Sequence, residues 1–156
     1  MNYEMHIREF AGLAQEYCNW VEGEDKATDG QSFYLQVLLS KLYCWGIQLP
    51  ECEPTDLLES HDMPEHDPVT VLNYFNGFPV RYYSMIFNAN VVPSEEPVTG
   101  DLYDDLAGIY TDLKDGLWYL GRGSEVDSVF HWRFSLGIHW ARHALNAMYA
   151  LYCHEQ

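Results

Sequence analysis

Apolar residues recur at helical spacing over most of the chain. From residue 4 to 22, Ile7, Phe10, Ala11, Ala14, Tyr17, Cys18 and Val21 fall three or four apart and predict a first helix that stops in a run of Glu, Gly and Asp. Asp29 is the expected N-cap of a second helix whose apolar face holds Phe33, Leu35, Leu38, Leu39, Leu42 and Trp45; Gly46 and Pro50 mark its end. Asp67 and Pro68 are cap and first-turn proline for a helix to about Phe75. Asn76-Gly77-Phe78-Pro79 interrupts it, and Val80 to Phe87 reads as another short helix. The rings of Tyr74, Tyr82 and Tyr83 suit a core, and their hydroxyls need partners or water. Residues 89–99, with Pro93 and Pro97, read as a loop.

The last quarter, Asp101 to His154, predicts two long helices joined at Gly121-Arg122-Gly123-Ser124 and folded back antiparallel. On the first, Leu102, Leu106, Ile109, Leu113, Leu117 and Leu120 form one stripe. Asp105 and Asp112 flank that stripe, where a carboxylate is partly desolvated and requires a partner. The second helix is apolar nearly all round. Its expected core face is Phe130, Phe134, Ile138, Ala141, Leu145, Met148 and Tyr152, with Trp132, Leu136 and Trp140 opposite, so it should be the central helix. A polar stripe of Ser135, His139, Arg142, His143 and Asn146 runs between. If the hairpin is symmetric about its turn, Asp105 faces Arg142, Asp112 faces Ser135 with His131 and His139 one turn to either side, and Gly108 lies level with His139, leaving room for a ring.

Residues 51–68 change the picture little. They are acidic and proline-containing and read as a solvated loop with at most a helical turn at Leu57 and Leu58. The pairs His61-Asp62 and His66-Asp67 match no strong metal signature, and ordering such a loop to chelate costs much entropy. The expected fold is therefore all-α: one domain, residues 1–156, a bundle of about five to six helices with a long antiparallel C-terminal hairpin.

Composition excludes several functions. The 156 residues are 47% hydrophobic and 15% aromatic, which argues against disorder. A formal charge of −16 repels phosphate backbones and anionic membranes, so neither nucleic acid nor a membrane is an expected partner; a basic protein is. Cys18, Cys44, Cys52 and Cys153 form no CxxC pair, and the amino terminus lacks a basic and apolar leader, which together make a reducing cytoplasm the expected location.

Two readings compete for the terminal hairpin. In the first, Asp105, Asp112, Ser135, His139, Arg142 and His143 form a structural clamp between helices, and the protein is an accessory or interaction domain with no cofactor. In the second, His139 and His143, one turn apart, bind a divalent metal with Asp105 or Asp112 in a helical-bundle enzyme. The two acids lie seven residues apart, about 10.5 Å of helix rise, too far to share one ion easily, and Arg142 would repel a cation. The clamp is therefore preferred. A weaker third reading has Arg142 grasping the acid group of a small molecule in a pocket between helices. Ser135 lies mid-helix with no strand-to-helix elbow, so it is no hydrolase nucleophile.

The segments DDLAGIYTDLKDGL and WRFSLGIHWARHALNAM, with LYCWGIQLP and YYSMIF upstream, resemble a bacterial family known only as domain of unknown function 5063. The resemblance implies an all-helical domain of this size and no assigned reaction, ligand or catalytic residue.

Overall fold

Side-chain caps set several of the helix starts. In the computed structural model, which describes residues 2–23, 26–55 and 62–156, the Asn2 side chain accepts from the Met5 amide at the start of α1 (Tyr3–Glu22). Asp67 accepts from the Thr70 amide at 2.9 Å and opens α3 (Pro68–Asn73) as expected. α2 (Gln31–Gly46) starts differently. Its N-cap is Gly30 at φ +87°, a left-handed conformation that favours glycine, so Asp29 is not the cap. The predicted turn at Leu57 and Leu58 and His61 of the pair His61-Asp62 lie outside the described residues.

Val80 to Phe87 does not form a helix. Tyr82–Met85 is strand β1, which pairs antiparallel with β2 (Val98–Asp101) in the register Tyr83 to Gly100 and Ser84 to Thr99. Tyrosines, Val and Thr suit a pleated, half-buried surface, and the run is too short for its period to separate helix from strand. The protein is mostly helical with one small hairpin, and is not purely α. Asp101 ends β2 and caps α4 (Leu102–Gly121) through the Tyr103 amide, so the hairpin is fixed to the start of that helix.

α4 is the central helix. It packs against α1, α3 and the whole C-terminal arm, while α2 covers α1 and the end of that arm. Its stripe is buried at Leu102, Leu106, Ile109 and Leu113, as predicted. The arm consists of α5 (Glu125–Ser135), a π-helical turn (Leu136–Trp140) and α6 (Ala141–His154), one following directly on another. This interruption overturns the expected core face. Phe134, Ile138, Leu145 and Tyr152 are exposed, Ile138 by 69%, whereas Trp132, Leu136 and Trp140 are buried. The buried residues Ser128, Trp132, Leu136, Trp140 and Ala144 keep a four-residue interval. An ideal α-helix of 3.6 residues per turn would rotate such a row off the core; one wide turn takes up the excess.

Trp132 sits where α4 has no side chain. A Cβ on Gly116 would lie 1.9 Å from the Trp132 Nε1. That indole donates to the Leu113 carbonyl at 3.1 Å, and the Ser128 hydroxyl donates to the Gly116 carbonyl at 2.8 Å. The described parts of the acidic connection before α3 are held to α5 and α4. The Thr55 amide and hydroxyl donate to Asp127 at 2.7 and 2.5 Å, and His66 meets Asp115 at 2.7 Å. Burial alone would raise the Asp127 carboxyl; hydrogen bonds from Ser124 and Thr55 outweigh it and hold the group below its usual range. The cysteines are free, and burial pushes the Cys18 thiol up to about 12, an inert core group, while Cys44 and Cys153 are exposed rather than core.

The contact at Gly116 predicts a contrast between two glycine-to-alanine variants. Gly116→Ala should lose about 3 kcal/mol or more of stability because the Trp132 ring has no free space to retreat into. Gly12→Ala, mid-helix in α1 with nothing within 4 Å, should gain about 0.5–1 kcal/mol. Urea unfolding midpoints compare them, and equal midpoints would contradict the packing described.

Candidate functional site

The two flanking carboxylates of α4 each find a histidine. Asp105 is buried, and its Oδ1 lies 2.7 Å from the His143 Nδ1. Its Oδ2 accepts the Tyr83 hydroxyl of β1 at 2.5 Å. Asp112 Oδ2 lies 2.7 Å from the His139 Nδ1. The imidazoles meet at their other ends, with 3.2 Å between the two Nε2 atoms and the rings nearly perpendicular at 78°. The result is a continuous chain from Tyr83 through Asp105, His143 and His139 to Asp112.

Glycine makes the space for this arrangement. A Cβ on Gly108 would stand 3.2 Å from the His139 Cε1 and 3.2 Å from the His143 Cδ2, so this turn of α4 lets both rings lie against it. On the hairpin, Gly100 does the same for Tyr83, whose Cζ would be 2.4 Å from an added Cβ. The tyrosine ring therefore crosses its strand partner and reaches Asp105.

Two of the predicted contacts differ. Asp105 pairs with His143, not Arg142. Asp112 pairs with His139, not Ser135, whose hydroxyl donates instead to the His131 carbonyl at 2.7 Å. The guanidinium of Arg142 stacks 4.9 Å from the Phe87 ring and, among the described residues, makes no ion pair. For Asp105 the cause is the π turn. A one-residue excess before residue 141 advances the helix face by one position, so His143 stands where an uninterrupted helix would place Arg142. The second metal reading changes too. Asp105 and Asp112 bind the Nδ1 atoms and so stand behind the imidazoles, not beside them. Among the described residues no group of three or more His, Cys, Asp or Glu side chains is placed to hold a metal.

The carboxylates determine the tautomers. An ionised carboxylate only accepts, so each Nδ1 must donate, and each Nε2 then carries a lone pair unless an extra proton is present. Burial raises the Asp112 carboxyl above its ordinary value, and the hydrogen bond from His139 opposes that rise. The Tyr83 hydroxyl is raised well above its usual value by burial and by the bond to Asp105, and so stays a donor.

Beside the pair opens a cavity of about 480 Å³, bounded by the hairpin, α4 and α6. Tyr83, Thr99, Asp104, Asp105, His139, Arg142, His143 and Asn146 supply its polar groups, together with Asp101, which is paired with Arg81; Leu72, Met85, Phe87 and Ile138 form its apolar wall. Of these, sequence reasoning missed Leu72, Met85, Phe87, Thr99, Asp101 and Asp104 and did not connect Tyr83 to the stripe. The signal was the alternation of β1, which sends Tyr83 and Met85 to the same side.

The chain belongs to the family described as "Domain of unknown function (DUF5063)", which matches residues 1–155. Its fold is shared by the crystal structure of protein BF1032 from Bacteroides fragilis, with a TM-score of 0.71 and 21% identity over 94% of this chain and 90% of that one. No curated protein matches. Among the described residues no helix is long and apolar enough to cross a membrane.

Asp105 should matter more to folding than Asp112. Replacing it with alanine leaves the half-buried His143 Nδ1 and the Tyr83 hydroxyl without their acceptor, a loss of about 1–3 kcal/mol for each. Asp112→Ala releases a histidine that is 45% exposed and removes a carboxylate that burial already disfavours, so the loss should be smaller. Chemical denaturation of both variants tests the ranking, and an equal or reversed order would refute it.

Proposed function

We propose that this domain binds a divalent transition-metal ion through the Nε2 atoms of His139 and His143, with the remaining coordination positions facing the cavity. The observation that carries this reading is the pair of nitrogen atoms 3.2 Å apart, each on a ring whose far nitrogen is held by a carboxylate. Two lone pairs so placed repel unless a cation lies between them. A metal about 2.0–2.1 Å from each nitrogen, at a tetrahedral angle, sets them about 3.3 Å apart. Asp105 and Asp112 then act as outer partners that orient the rings and make them better donors.

The local charge supports a cation. Asp104, Asp105 and Asp112 bring three formal negative charges and Arg142 one positive. Imidazole ligands suit zinc, copper, nickel and iron, and copper(II) should bind most tightly of the divalent series. With only two protein ligands, the ion keeps open positions, the feature that separates a working metal centre from a structural one.

Added Zn²⁺, Ni²⁺ or Cu²⁺ should raise the melting temperature of chelator-treated protein, by the equivalent of about 2.7 kcal/mol at one hundred times the Kd. His139→Ala with His143→Ala should abolish the rise. Differential scanning fluorimetry reads both, and wild-type protein whose melting temperature ignores all three ions sinks the proposal in favour of a shared proton.

A separate observation supports the accessory reading. The outward face of α5 and α6 exposes Phe134, Ile138, Leu145, Tyr149 and Tyr152 on a strongly acidic protein, a combination suited to a basic protein partner in the cytoplasm. A partner held this way should be released from immobilised protein as salt rises; retention unchanged between low and high salt would count against it.

A further inference from the structure

The cavity beside the histidine pair has a composition that a bare metal site does not need. Arg142 is stacked on Phe87 at the cavity edge without a carboxylate partner among the described residues, and Asn146, one helical turn further on, lines the same space. Building on the metal reading above, we infer that the cavity takes a small chelating carboxylate of the 2-oxo or 2-hydroxy acid class.

Three features point to that chemistry. Two imidazoles leave two adjacent positions of a tetrahedral ion to be filled, and a carboxylate with a neighbouring oxygen fills both from one molecule. The planar guanidinium of Arg142 matches a carboxylate with parallel hydrogen bonds, as an ammonium does not. Leu72, Met85, Phe87 and Ile138 offer an apolar wall for a short carbon tail, and about 480 Å³ accommodates a small molecule with water.

The surrounding charge makes binding conditional. With Asp104 at the cavity and Asp105 and Asp112 behind the rings, an anion meets net repulsion in the metal-free protein. A bound divalent ion cancels that net negative charge. Metal and acid must therefore bind with positive coupling, and linkage requires each to tighten the other by the same factor.

The test titrates chelator-treated full-length protein with Co²⁺, followed by its visible absorbance, alone and with saturating 2-oxobutyrate, acetate or inorganic phosphate. The expected result is Co²⁺ binding about tenfold tighter with 2-oxobutyrate and changed less than about twofold by acetate, which lacks the oxygen on the neighbouring carbon that closes a five-membered chelate. In Arg142→Gln, Co²⁺ alone should bind as tightly as to wild type or more so, since a repelling cation is gone, while the gain from 2-oxobutyrate falls below about twofold. The variant alters an exposed side chain, so its fold should persist, and circular dichroism confirms that. Co²⁺ that binds without any gain from 2-oxobutyrate overturns this inference and leaves the metal reading standing. An undiminished gain in Arg142→Gln, or a gain with phosphate alone, overturns the carboxylate assignment. Absence of Co²⁺ binding removes both readings.

Discussion

Two carboxylates placed beside the leucine stripe of α4 govern the rest of the site. Neither Asp105 nor Asp112 is well hydrated, and a partly desolvated carboxylate is tolerated only with donors close at hand. Each obtains a histidine Nδ1, and Asp105, the more buried, obtains the Tyr83 hydroxyl as well. Because Tyr83 belongs to β1, the demand of one buried carboxylate ties the small hairpin to the helical core. The same bonds fix the tautomers of both rings and aim their remaining nitrogens at each other.

Space on α4 is as limiting as charge. Gly108 lets two imidazoles lie against the helix, and Gly116, two turns on, lets an indole do so. Between them the arm of α5 and α6 comes close enough for Trp132 to donate to a backbone carbonyl of α4. A larger residue at either position would push the arm outward, and the 2.7 Å Asp–His contacts have no slack for that.

The periodic parts of the fold were legible from residue types. α1, α2 and the stripe of α4 are long enough for a 3.6-residue period to show, and Asp67-Pro68 carries its own start signal. The hairpin was not legible, because Tyr82–Met85 is four residues long and twelve residues separate it from its partner strand, with no tight-turn signature between them. The candidate site was half legible. Gly108, Asp105, Asp112, His139 and His143 stand out as residue types at the right heights, yet the pairing among them depends on a π turn that no residue in Leu-Gly-Ile-His-Trp announces. The same turn explains the inverted reading of the arm's core face. An unbroken 3.6-residue period carried through Leu136–Trp140 puts Phe134 and Ile138 inside and leaves Trp140 outside.

That one extra residue also decides what kind of contact the hairpin makes. In an uninterrupted helix Arg142 would stand across from Asp105, and an arginine–carboxylate pair is closed: both groups are satisfied by each other, and nothing is left to face a cavity. With the wider turn, His143 takes that place and uses only one of its two nitrogens on the carboxylate. Its second nitrogen points at His139, which has likewise committed one nitrogen to Asp112. Arg142 is displaced to the cavity edge, where Phe87 supports its plane and its donors meet no carboxylate among the described residues. A π turn lengthens the local hydrogen-bond ring and weakens the helix there, so its presence needs a compensating contact. The Trp140 indole, which donates to the Trp132 carbonyl two turns back, and the Ser135 hydroxyl, which donates to the His131 carbonyl one turn back, supply part of that. Burial of Leu136 and Trp140 in the core supplies more. The distortion is thus held by apolar packing on one face of the arm, while its consequence, two convergent imidazole nitrogens and a released guanidinium, appears on the other.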